Sequence, residues 1–258
     1  ARSIRYSAYV LPRKVASIDL GFLGISGDEI YGRLGTSIGL GHGLQLDANI
    51  GHWVAGLFGV DVKWAFFENE HIAVSAYAGF LYAHGGWLWL LDELGQTVLS
   101  DSDLFGMPIG MTVSAPCTRW LQFDLTLAYQ YSKVFGSISP GGSFYAETQY
   151  GARQVLIWPT ARVFITAQTA FEFTARLPLY NRVPYEVDST LEVGKGYGNL
   201  KDGYASVDFS QGWALEFGVR SQLRRWLFAT TRLHVGQIAK TVYGATVYPS
   251  FNLEFRVP

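Results

Sequence analysis

The stretch Leu121-Gln122-Phe123-Asp124-Leu125-Thr126-Leu127-Ala128-Tyr129-Gln130-Tyr131 decides the fold. Every odd position is large and apolar; every even position is polar or small. Successive side chains of a strand point to opposite faces, so a period of two gives one apolar face and one polar face. The same alternation returns at Trp213, Leu215, Phe217 and Val219 against Ala214, Glu216, Gly218 and Arg220. It returns once more at Phe251, Leu253, Phe255 and Val257 against Asn252, Glu254 and Arg256.

A soluble β-sandwich also alternates, and length separates the two. Sandwich strands run about five or six residues. The segments here run about ten to twelve, which is what a tilted strand needs to cross a bilayer. The pattern predicts strands at roughly 14–24, 30–41, 44–53, 55–67, 71–84, 104–115, 119–133, 152–163, 168–178, 211–222, 226–237 and 245–257. Short connections fall at Gly41-His42-Gly43, Glu68-Asn69-Glu70, Pro116-Cys117-Thr118, Ile165-Thr166-Ala167 and Leu223-Arg224-Arg225. Long ones fall at about 85–103, 134–151 and 179–210, all with the opposite parity; the last, with Gly194, Gly196, Gly198 and Gly203 and little apolar content, reads as a mobile excursion or an extended hairpin. Short periplasmic turns and long extracellular loops are the pattern of bacterial barrels. The expectation is an all-β fold, a transmembrane antiparallel up-and-down β-barrel of about 12 strands, with 10 or 14 as alternatives. Residues 14–258 form this single domain, and both chain ends are periplasmic.

Composition agrees. Apolar residues make up 49% and charged residues 16%, against about 25% charged in soluble domains. A soluble surface so poor in charge would associate, whereas a belt facing lipid would not. The net charge of −1 leaves no electrostatic footprint for nucleic acid. No apolar run is long enough for a transmembrane helix. Cys117 is the single cysteine, so no internal disulfide forms. No signal peptide opens the sequence, and a mature exported form is expected.

The last strand carries Tyr248, Phe251, Leu253 and Phe255, with Arg256, Val257 and Pro258 after them. It resembles the β-signal by which outer-membrane barrels are recognised for insertion. That resemblance is to the class of Gram-negative outer-membrane β-barrels and to no single family. It implies an outer-membrane location among lipid and lipopolysaccharide. It also implies an encounter with the barrel-insertion machinery through the C-terminal strand. A periplasmic or envelope protein is a further possible partner.

Phase assigns the faces. Ile18, Leu20, Phe22, Val60, Val62, Trp64, Ile109, Met111, Leu125, Leu127, Phe171, Phe173, Leu215, Phe217, Leu233 and Leu253 point outward, and none is charged. The acids Asp19, Asp47, Asp61, Asp124, Glu172, Glu216 and Glu254 point inward. So do the bases Arg33, Lys63, Arg162, Arg176, Arg220, Arg232 and Arg256, with His234 among them. Acids predominate in the first seven strands and bases in the last five, so an acidic wall should face a basic one. The inward arginines resemble the arginine ladders of twelve-stranded channels for acidic sugars, although acids balance them here. Two readings follow: a polar plug of paired charges, or a narrow charged pore. Twelve strands lie between the filled eight-stranded barrel and the open sixteen-stranded one.

No enzyme is expected. Barrel lipid hydrolases carry a His beside a Ser nucleophile as His-x-Ser. The histidines here read His42-Gly-Leu, His52-Trp-Val, His71-Ile-Ala, His84-Gly-Gly and His234-Val-Gly. No cofactor or metal is expected; Asp92, Glu93, Asp101, Ser102 and Asp103 lack the spacing of a calcium loop and read as a solvated acidic loop. Trp87, Leu88, Trp89, Leu90 and Leu91 continue a strand, fold into the mouth, lie at the interface or dock a partner. The segment 1–13, with Arg2, Arg5 and Arg13, is expected as a periplasmic tail; a lumen plug and a handle for a partner are its alternatives. The leading expectation for function is a porin-like channel for small solutes through a narrow charged lumen. A non-conducting barrel in a larger cell-envelope assembly is the alternative, and a lipid-modifying enzyme a distant third.

Overall fold

In the computed structural model the described residues are 7–25, 29–50, 53, 57–84, 102–138, 144–191, 203–206, 213–236 and 246–257. The alternating segments form β1 (Ala16–Ile25), β2 (Glu29–Gly41), β3 (Leu44–Asn49), β4 (Leu57–Glu68), β5 (Ala73–His84), β6 (Ser102–Thr118) and β7 (Leu121–Ile138). They continue as β8 (Phe144–Phe164), β9 (Thr169–Leu191), β10 (Gly203–Ser206), β11 (Ala214–Arg224), β12 (Leu227–Gly236) and β13 (Thr246–Val257).

Each strand pairs antiparallel with the next in the chain, except that β9 passes directly to β11. The short β10 hangs on the far end of β9, with Gly203 opposite Tyr185. The ring closes through β1 and β13, from Ala16 opposite Val257 to Leu23 opposite Ser250. The wall is therefore a closed up-and-down barrel of twelve antiparallel strands. Closure matters because it leaves no unpaired strand edge in a lipid environment.

The turns among the described residues all lie at one rim. In Gly41-His42-Gly43 the φ angles are 94°, 51° and 76°, a left-handed run that two glycines make tolerable. A Cβ on Gly43 would also stand 2.2 Å from the Ala65 carbonyl oxygen. Register shifts cluster at the same rim, at Gly39/Gly41, Ala65/Phe67, Pro116/Thr118 and Gln222/Arg224. Bulges at a barrel rim end pairing and tighten the twist. They also move two turns from their expected places: Pro116, Cys117 and Thr118 belong to β6, with the turn at Arg119 and Trp120. Leu223 and Arg224 likewise belong to β11, with the turn at Arg225 and Trp226.

The larger difference is at the other rim. The expected loops 134–151 and 179–210 are mostly strand: Ile138 pairs with Ala146, and Phe144 pairs with Leu191. β8 has 21 residues and β9 has 23, about twice what a bilayer crossing needs. Their far halves project beyond the wall as an extended ribbon. Of the expected loop 85–103, Ser102 and Asp103 open β6, and Asp103 accepts from Tyr82 (2.9 Å) and pairs with His84 (2.9 Å). Trp87, Leu88, Trp89, Leu90 and Leu91 lie outside the described residues.

The outward face is apolar and exposed over its whole circumference, including Ile18, Val62, Met111, Leu125, Phe173, Phe217 and Leu233. Trp64, Trp120 and Trp226 are exposed near the tight-turn rim, as aromatic girdles are at a membrane interface. The buried residues are on the inside, and most of them are polar.

Candidate functional site

The inside is built in two halves at the tight-turn rim. The first half is the chain's own N-terminal segment. Residues 7–12, just before β1, lie against the inner face of β2 to β6. Ser7, Ala8, Tyr9 and Leu11 are 4% exposed or less. Lys63 of β4 donates to the carbonyl oxygens of Ser7 and of Tyr9, the latter at 2.9 Å. The Ala8 amide donates to Ser114 Oγ of β6 (2.7 Å), and the Leu11 amide donates to Gln45 Oε1 of β3 (2.8 Å). The segment then turns at Lys14 (φ 66°) and hooks onto β2, with Lys14 N–H bonded to the Gly39 oxygen at 3.0 Å.

The wall is cut to receive it. Gly39 gives up its side chain because a Cβ there would stand 2.1 Å from the Pro12 carbonyl oxygen. Ala73, small and fully buried, clusters with Ala8 and Tyr9. A buried peptide must find partners for its amides and carbonyls, and Gln45, Lys63 and Ser114 supply them. The segment expected as a periplasmic tail is thus, from residue 7 onward, packed inside the barrel. Residues 1–6 lie outside the described residues.

The second half is an ion network over β7 to β13. Arg162 of β8 is 1% exposed. It binds Asp124 of β7 and, through Nε at 3.0 Å, Glu172 of β9. Arg232 of β12 reaches the other oxygen of Glu172 at 2.9 Å, and its Nε lies 3.9 Å from Glu216. Glu216 is 3.6 Å from His234, which bonds Ser250 at 2.7 Å. Arg220 and Arg256 share Glu254, each at 2.6 Å. Both guanidinium groups also lie over the buried Phe228 ring, at 4.9 and 4.2 Å from its centroid, a cation–π arrangement. Apart from Arg256 and Glu254, which share β13, these pairs link neighbouring or next-neighbouring strands around the wall rather than spanning the lumen.

The two halves join at Ser114 and Asp124. Ser114 Oγ donates to Asp124 while accepting from the Ala8 amide, and Asp124 carries the contact on to Arg162. Gln122 donates to Asp124 at 2.9 Å. One bonded chain therefore runs from the N-terminal segment through β6 and β7 into the network.

Beyond this layer, toward the opposite rim, the lumen holds a cavity of about 550 Å³. Asp19, Asp47 and Asp61 line it from β1, β3 and β4, and Arg176, Arg220 and Arg232 from β9, β11 and β12. Asp47 and Asp61 are paired in register, so two carboxylates neighbour each other on the inner face. Asp47 accepts from Gln45 Nε2 at 2.7 Å. Gly79 makes room for Asp61: a Cβ there would fall 1.7 Å from Asp61 Oδ1.

Every described inward residue predicted from phase therefore sits in the network, in the cavity wall or in both. Arg256 is the most exposed of the network, at 20% for its side chain. Nothing is described of the Arg33 side chain. Gln45, Ser114, Gln122 and Phe228 are not among the predicted inward residues, because they are neutral and a charge pattern does not mark them. The signal was present: Gln45 shares the parity of Asp47, Gln122 that of Asp124, and Phe228 that of Arg232 and His234. No cluster of metal-binding side chains occurs among the described residues.

No protein-family model and no curated protein matches the sequence. Solved structures do match the fold. The NanC porin aligns with a TM-score of 0.50 at 12% identity, covering 94% of this chain and 100% of that one. The Ralstonia pickettii toluene transporter TbuX aligns at 0.46 and 8% identity, covering 96% and 90%. The translocator domain of the autotransporter NalP from Neisseria meningitidis aligns at 0.45 and 10% identity, covering 95% and 86%. The likeness is one of fold: this chain folds as outer-membrane β-barrels do.

Proposed function

We propose that this chain is a porin-like outer-membrane channel for small solutes, narrowed at its tight-turn rim by its own N-terminal segment. The observation that carries this reading is the polar cavity of about 550 Å³ inside the barrel. A barrel that served only as an anchor has no need of an unfilled interior, because side chains can fill a narrow lumen. Among the described residues the filling lies in one layer, part of it a chain segment rather than wall. The cavity beyond it is lined by Asp, Arg, Thr and Gln side chains together with Tyr77, Pro108 and Trp158, and the charged members suit hydrated, charged solutes.

By the parity of long and short connections, the tight-turn rim and both chain ends are periplasmic. A solute would enter from the projecting ribbon's side, cross the cavity and meet the N-terminal segment last. Release of that segment exchanges its hydrogen bonds for water and opens half of the constricted layer, while the ion network stays with the wall. The fold neighbour titled a porin supports the architecture of this reading.

Uptake of a graded series of small sugars and ions by vesicles containing the chain tests the proposal. Uptake above empty vesicles, falling steeply with solute size and rising when residues 1–13 are deleted, is the expected result. Uptake no greater than that of empty vesicles, with or without residues 1–13, contradicts it. It would leave the non-conducting role in an envelope assembly, which the projecting β8–β9 ribbon favours as a docking element.

A further inference from the structure

The cavity's charges are unevenly spread: β1, β3 and β4 bring Asp19, Asp47 and Asp61 with one base, Lys63, while β9 to β13 bring Arg176, Arg220 and Arg232 with Glu216 and Glu254. The closed topology turns that bias into a direction in space. In a ring of twelve strands, strands six places apart face each other. Counting wall strands alone, β3 faces β9 and β4 faces β11. Asp47 on β3 thus stands across the cavity from Arg176 on β9, and Asp61 on β4 across from Arg220 on β11.

Each side also holds buried polar atoms that find no hydrogen-bond partner among the described residues. On the acidic side it is the Tyr77 hydroxyl of β5; on the basic side they are Trp158 Nε1 of β8, Arg176 Nε of β9 and Arg220 Nε of β11. All four residues line the cavity. Buried polar groups are ordinarily satisfied, so each exception calls for an explanation. Trp158 Nε1, Arg176 Nε and Arg220 Nε are pure donors, and they share the side on which an anionic group would be received. The network engages Arg220 through Nη2, Arg232 and Glu254, but it leaves these three donors unused.

We propose that the cavity is a binding site for small zwitterions, compounds with an ammonium group at one end and a carboxylate at the other, of amino-acid to dipeptide size. The ammonium end faces Asp47 and Asp61. The carboxylate end faces Arg176 and the Trp158 indole N–H, where a planar guanidinium can meet it with two parallel donors. The volume, about 550 Å³, lies within the range of ligand pockets. A singly charged solute brings a counter-charge to one wall and none to the other, which gives the site a means of discrimination as well as attraction. The inference rests on the lumen being a solute path, and it names the class of solute.

Ligand-observed saturation-transfer NMR on the full chain in detergent micelles tests it, with diglycine as the probe. N-acetylglycine and glycylglycine amide serve as the singly negative and singly positive analogues. Diglycine is expected to show saturation several-fold stronger than either analogue, falling several-fold in Asp61→Asn and in Arg176→Gln. Arg176→Lys is expected to restore part of it, which a folding defect would not. Analogues as strongly saturated as diglycine, equal signals from wild type and the two variants, or no diglycine signal would each overturn the proposal. Binding is read apart from transport. Diglycine binding without vesicle uptake removes the channel reading and keeps the site; uptake without binding removes the site and keeps the channel.

Discussion

Arg162 concentrates the residue-scale chemistry. It is among the most buried side chains described, yet it is charged and set between two buried carboxylates, Asp124 and Glu172. Burying charge is costly unless it is paired, and removing one partner of a buried pair costs about 3–5 kcal/mol. Arg162→Met leaves two carboxylates buried and short of a partner. It should lower barrel stability by about that amount, read from the urea midpoint in lipid vesicles. Adding Asp124→Asn and Glu172→Gln should recover much of the loss, because the stranded charges then disappear. Outward, the rule reverses. Leu125 is 47% exposed toward the lipid face, and Leu125→Arg should cost about 2–4 kcal/mol near the midplane. The same measurement checks both. Much of this was legible from the quoted stretch, where Asp124 and Gln122 have one parity and Leu125 the other. Partners were not legible: nothing in Arg162's neighbourhood of sequence points to Glu172 rather than to an acid across the lumen. That choice is made by the register of β8 on β9, where Arg162 stands opposite Glu172.

At the scale of elements, the N-terminal segment and the β8–β9 ribbon are the two that pattern reading left open. The segment is held by main-chain bonds to Gln45, Lys63 and Ser114, so its own side chains need not alternate. The ribbon is long because β8 and β9 stay paired from Phe164 opposite Ala170 to Phe144 opposite Leu191. Hydrogen exchange distinguishes a seated segment from a loose tail. The Ala8 and Leu11 amides, bonded at 2.7 and 2.8 Å, should exchange as slowly as strand amides. In Lys63→Met they should exchange at least tenfold faster, while amides in the middle of β7 stay unchanged. Equal, rapid exchange in wild type and variant would show that the segment does not occupy the lumen. The Gly39 contact offers a second handle, since a Cβ there meets Pro12 and Leu11 carbonyl oxygens within 2.5 Å. Gly39→Val should therefore release the segment much as the lysine variant does.

At the scale of the whole molecule, the strand number follows from the parity of connections and from closure between β1 and β13. Alternation alone supplied the first. The second needed the pairing, because no local pattern says which strands meet across the ends of the chain. The division of the lumen is likewise a property of the assembled ring. Strands β2 to β6 present small side chains and hydrogen-bonding groups to a peptide, and β7 to β13 present a bonded ion network. Among the described residues they occupy one layer, with a charged cavity beyond it. In the channel proposed above, the segment before β1 restricts the passage. Single-channel conductance in planar bilayers, comparing the full chain with one lacking residues 1–13, tests it most directly. A several-fold larger conductance step in the shortened barrel is the predicted result. Steps of the same size in the two forms would contradict it.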